Sequence, residues 1–87
     1  MAHRKIVVVD NDEVTAQVVQ QYLAEAGYQV LLADNGEMAL QMAYQEKPDL
    51  VILELDLPDQ DGLCLIQTIR ANLAPVQVPI IILSLRE

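Results

Sequence analysis

Leu50-Val51-Ile52-Leu53-Glu54-Leu55-Asp56-Leu57-Pro58-Asp59-Gln60-Asp61-Gly62 is the stretch on which the fold turns. Its first four residues are an apolar run short enough for a strand buried on both faces, as in a parallel sheet. Glu54 closes that run, and the loop that follows carries three more carboxylates, at Asp56, Asp59 and Asp61. A carboxylate at the carboxyl end of a buried parallel strand lies where open α/β sheets place their ligand sites. Upstream, Ile6-Val7-Val8-Val9 is a second strand of the same kind, and it runs into Asp10-Asn11-Asp12-Glu13. Two strands ending in acidic residues can converge on one pocket.

Between these strands the apolar period becomes helical. From Asp12 onward Val14, Val18, Tyr22 and Ala26 recur every four residues, with Val19 and Leu23 widening the stripe. This spacing predicts a helix whose apolar face they form, with Asp12 as its cap and Gly27 as its left-handed stop. Tyr28 to Ala33 reads as the next strand. Asn35 and Gly36 turn the chain into a helix over Glu37 to Glu46, with Met38, Ala39, Met42 and Ala43 inward and Lys47-Pro48-Asp49 as its end. A third helix starts at Gly62 or Leu63, with Leu63, Ile66, Ile69 and Leu73 as its apolar side. Ala74 to Val78 is a loop, and Pro79 to Leu83 a fourth strand. Strands alternating with helices imply right-handed crossovers and a parallel sheet between helical layers.

The bulk properties narrow the function. The 87 residues make one domain, 53% hydrophobic but only 3% aromatic, so aliphatic side chains must fill the core. With 13 acidic against 5 basic residues the formal charge is −8, which disfavours direct contact with nucleic acid or anionic membranes. The single cysteine, Cys64, excludes an internal disulfide or a thiolate metal cluster, and its apolar neighbours predict a buried, inert thiol. His3 has no partner of metal-ligating or catalytic type near it. The apolar stretch after the basic start is too short for a signal peptide or a membrane span, so a cytoplasmic location is expected.

Lys5 to Asp12, Ala26-Gly27-Tyr28, Ala33 to Leu40, Pro48 to Leu53, Leu57 to Gly62 and Val78 to Ser84, taken together and in order, resemble the receiver domain of bacterial two-component response regulators. The resemblance implies a flavodoxin-like doubly wound sheet, here as a (βα)3β fragment of expected strand order 2-1-3-4. It also implies that the fifth strand, with its lysine, and the last two helices are absent, which makes residues 1 to 87 a single truncated domain. In that family an aspartate at the end of strand three accepts a phosphoryl group from a histidine kinase. An acidic pair after strand one holds Mg²⁺, and a Ser or Thr after strand four contacts the phosphoryl oxygens.

Mapped onto this chain, the resemblance puts Glu54 at the phosphoacceptor position, Asp10 and Asn11 at the acidic pair and Ser84 at the phosphoryl-sensing position. Leu85 follows Ser84 where the family has a small residue. Glu54 is one methylene longer than aspartate and offers a fixed charge, a crude mimic of an acyl phosphate that would carry about two. The competing reading is a degenerate site whose glutamate stays solvated. Asn11 supplies no charge to a metal that prefers hard anionic oxygens, so any Mg²⁺ held by Asp10, Glu54 and the Asp56 backbone carbonyl is expected to be weak, and no cofactor is expected firmly. The Asp56 side chain reads as a solvated loop carboxylate, and Pro58 and Gly62 as loop-shaping residues.

The expected function is a non-enzymatic receiver module that acts by protein contacts without phosphorylation. Two alternatives stay open: a competent phosphoacceptor served by a histidine kinase, and an oligomerisation module. Strand four, Ile80-Ile81-Ile82-Leu83, is apolar on both faces and would form a sheet edge, so a homo-oligomer paired through it is also expected.

Overall fold

The computed structural model describes residues 4–73 and 78–83. Seven elements alternate along it: β1 (Lys5–Val9), α1 (Glu13–Glu25), β2 (Gln29–Ala33), α2 (Gly36–Glu46), β3 (Leu50–Leu53), α3 (Gly62–Leu73) and β4 (Ile80–Ile82). The four strands form one parallel sheet in the order β2-β1-β3-β4, the order expected of the flavodoxin-like fold. β1 is central, and its residues Ile6 to Val9 are all buried, which explains an uninterrupted β-branched run.

The strand order also decides which helix lies on which face. The crossover from β1 to β2 runs one way across the sheet, and those from β2 to β3 and from β3 to β4 run the other. With right-handed connections, α1 therefore occupies one face, and α2 and α3 share the opposite one. On the shared face Val7, Val9, Val51 and Leu53 pack with Ala39 of α2 and with Leu65 and Ile69 of α3 in one buried cluster. On the other face α1 lies over β1 and β2, with Ala16 buried and Val19 and Leu23 half-buried.

Helix ends follow local chemistry. Asp12 caps α1 through both oxygens: Oδ1 accepts from the Val14 amide at 3.1 Å and Oδ2 from the Thr15 hydroxyl at 2.8 Å. Gly27, at φ 99°, makes the left-handed exit that glycine allows. Lys47 ends α2 in the same region, at φ 48°, just before Pro48. At the amino edge of the sheet Asp49 accepts from the Lys5 amide at 2.8 Å, and Lys5 Nζ pairs with Glu46 at 3.3 Å. That half-exposed ion pair contributes little. Arg70 of α3 donates to the Val78 carbonyl at 2.8 Å, tying the helix to the approach to β4.

Four expectations about burial fail. Val14, Val18, Tyr22 and Ala26 do not form the buried face of α1: Val14 is 70% and Tyr22 72% exposed, and Val18 and Ala26 are exposed too. The face that meets the sheet is Ala16, Val19 and Leu23, one turn-step around the helix. Leu63 is exposed where Leu65 is buried, so the inner face of α3 is Leu65, Ile66 and Ile69. Met38 is exposed while Ala39 and Ala43 are buried. Cys64, expected inside, lies on the outer side of α3 and is exposed. Among the described residues β4 is the outermost strand on its side of the sheet, with Ile81 52% and Ile82 48% exposed.

Candidate functional site

The backbone ladder continues one residue beyond each strand and builds the site at the carboxyl edge of the sheet. The Asp10 amide donates to Ala33 O at 3.0 Å, that of Glu54 to Val9 O at 2.9 Å, and that of Leu83 to Leu53 O at 2.8 Å. Val9 and Leu53 are register partners, so Asp10 and Glu54 follow them side by side on adjacent strands. This is the point where chain direction across the sheet reverses, the crevice in which doubly wound sheets bind ligands. Ser84, next after Leu83, lies outside the described residues, as do Leu85 and His3.

Each acidic group is already engaged locally. Asp10 is 5% exposed, and its Oδ1 accepts from the Asp12 amide at 2.9 Å. Asn11 is exposed beside it. Glu54 is half-buried and bends back, its Oε1 accepting from the Asp56 amide at 3.2 Å. Glu54 to Asp61 line an open cleft, and Asp10, Asn11, Glu13 and Asp34 line another between the starts of α1 and α2. Among the described residues, no three His, Cys, Asp or Glu side chains gather so as to hold a metal ion. The donors the strand ends offer a Mg²⁺ are the carboxylates of Asp10 and Glu54 with the neutral amide of Asn11, which supplies no charge to an ion that favours hard, charged oxygens.

The loop after β3 holds residues whose roles were not legible from spacing. Asp61 caps α3, its Oδ1 accepting from the Leu63 amide at 2.8 Å; an Asp directly before a helix-opening Gly was the available signal. Asp59 reaches to α2, where Oδ1 accepts from the Gly36 amide at 2.7 Å and Oδ2 from the Glu37 amide at 3.0 Å. No local signal marks a bond spanning 23 residues. The loop closes at its base through Gly62 N to Leu55 O at 2.9 Å and an antiparallel bridge between Asp56 and Asp61.

Two of these carboxylates ionise below the ordinary aspartate value. The Thr15 hydroxyl is the main cause at Asp12, and the Gly36 amide, helped by that of Glu37, at Asp59. A folded pKa below the unfolded one means stability that is complete above about pH 4 and is lost as pH falls through the folded value. The urea midpoint is therefore expected to fall below about pH 4, and Asp59→Asn to flatten that fall. A midpoint with the same acid dependence in parent and variant would remove Asp59 from the account.

No described helix is long and apolar enough to cross a membrane. Residues 6–87 match the family model described as response regulator receiver domain. The alkaline phosphatase synthesis transcriptional regulatory protein PhoP of Bacillus subtilis is 36% identical over 85 residues, which are 98% of this chain and 35% of that protein. The probable transcriptional regulator ycf29 of Pyropia yezoensis is 36% identical over 92% of this chain and 36% of its own length. The chain thus spans about a third of the curated relatives it matches. Among solved structures, the BeF3-activated N-terminal receiver domain of Klebsiella pneumoniae RstA superposes with a TM-score of 0.88 at 32% identity, over 97% of this chain and 69% of that one. Vibrio cholerae chemotaxis protein CheY4 gives 0.91 at 28% identity, over 99% of this chain and 72% of that one. With the strand order, the crevice between β1 and β3 and a family match from Ile6 to Glu87 in agreement, the chain belongs to the response regulator receiver domain family.

Proposed function

We propose that this chain is a receiver module of two-component signalling that works without phosphorylation, as a binding module rather than an enzyme, in the cytoplasm. The observation that carries this reading is Glu54. It closes β3 where the family places its phosphoacceptor aspartate, and its carboxylate is folded back onto the Asp56 amide at 3.2 Å. The longer side chain intrudes on the volume a phosphoryl group would need, and it brings one charge where an acyl phosphate carries about two. Asn11 in the acidic pair removes a further charge from any metal position.

Signalling would pass through protein contacts. The α1 face supports this: Val14, Val18 and Tyr22 stand exposed, and Ile81 of β4, aligned in the ladder with Ile52 and Val8, faces the same side. Exposed apolar side chains at helical spacing, such as Val14, Val18 and Tyr22, favour an interaction site on α1. Signalling proteins, a histidine kinase among them, are the partners this reading favours.

An amide ¹H–¹⁵N spectrum titrated with Mg²⁺ and then beryllofluoride tests this reading. We expect the signals of Asp10, Asn11 and Glu54 to stay in place, and Glu54→Asp to render the same titration productive. Shifts concentrated at those residues in the parent protein, or an acyl phosphate labile to hydroxylamine, would establish a competent phosphoacceptor instead.

A further inference from the structure

The amino end of α2 is completed by a residue from elsewhere in the chain. A helix start leaves four amides without intrahelical acceptors. Here the Ala39 amide makes the first intrahelical bond, to the Asn35 carbonyl at 3.1 Å, and among the amides before it Met38 N donates to the Asn35 side chain at 2.8 Å. The next two, from Gly36 and Glu37, both go to the Asp59 carboxylate. A carboxylate placed there is also favoured by the positive end of the helix dipole. Gln60 adds a packing contact, since its side chain fills the space that a Cβ on Gly36 would occupy.

The other end of the same loop is the Glu54 site. Glu54 holds the Asp56 amide, and Asp56 pairs with Asp61 across the loop base. Leu57, buried in the main core cluster, anchors the segment between base and tip. Position 54 and the first turn of α2 are thus held by the two ends of one loop, Glu54 through the Asp56 amide and Asp59 through the Gly36 and Glu37 amides. We propose that Asp59 is a latch that couples the chemistry of position 54 to the first turn of α2, which makes α2 a responsive surface of this domain. The coupling does not depend on whether Glu54 is ever phosphorylated, so it stands apart from the functional reading above.

The test is a mutant cycle read by amide shifts. Glu54→Ala removes the acceptor of the Asp56 amide; it is made in the parent and in an Asp59→Ala background. We expect Glu54→Ala to shift the Gly36 and Glu37 amides in the parent and to leave them unmoved without Asp59. Hydrogen exchange at those two amides should also rise roughly fivefold to tenfold in Asp59→Ala. If that variant does not fold, Asp59→Asn, which keeps one acceptor oxygen, should give a reduced response. Two results overturn the proposal: no shift at Gly36 and Glu37 in the parent, or an equal shift with and without Asp59. Either would leave Asp59 as a static cap.

Discussion

Gly62→Ala is expected to lower the unfolding free energy by about 2–4 kcal/mol, more than the same change at either other glycine. Gly62 opens α3 directly beneath the β3–α3 loop. A Cβ there would stand 2.6 Å from Leu55 Cα and 3.1 Å from Glu54 O, and both are backbone atoms that cannot turn aside. Relief requires the loop base to open, and with it the bond from Gly62 N to Leu55 O. Gly27 has nothing within 4 Å, so Gly27→Ala meets only the left-handed backbone, φ 99°, at about 1–2 kcal/mol. At Gly36 the obstacle is the flexible end of Gln60, which can swing away, and the loss should be smaller still. Urea unfolding midpoints at constant slope would give the order Gly62, Gly27, Gly36. A Gly62→Ala midpoint equal to that of Gly36→Ala would mean the loop base is not closed as described.

The architecture was legible because parallel strands buried on both faces leave a signature that needs no tertiary knowledge. Ile6 to Val9 and Leu50 to Leu53 read as such strands and are register partners at the centre of the sheet. Asp12 was likewise legible as a cap, because capping is settled within three residues. Periodicity failed where the question was what covers a helix. Val14, Val18 and Tyr22 repeat every four residues as regularly as any core stripe, yet α1 turns the small Ala16 to the sheet and leaves them outside. Spacing defines an apolar face and says nothing about its partner. The same holds for Leu63 and Cys64 on α3. At the site, Glu54 beside Asp10 followed from strand ends, whereas Asp59 on α2 depends on how a loop folds over a helix start and leaves no trace in local sequence.

Leu53→Ala is expected to cost about 2–5 kcal/mol, a large fraction of the roughly 5–15 kcal/mol available to a small domain. Leu53 is 0% exposed and lies in the cluster that joins β1, β3, α2 and α3. It also immediately precedes Glu54, so a cavity there removes support from the strand end that carries the site. The contrast is Val18→Ser on α1, which exchanges one exposed residue for another of similar helix propensity and should stay within about 0.5 kcal/mol. Thermal or urea unfolding of the pair measures where the load falls. Equal losses would mean that the α1 stripe is covered in solution, for instance by a second copy, and the Val18→Ser loss should then vanish on dilution. A large loss for Leu53→Ala alone means that the core lies between the sheet and the α2–α3 layer. In that case the apolar face of α1 is free for a partner, and the residues that stabilise the fold are separate from those that would bind.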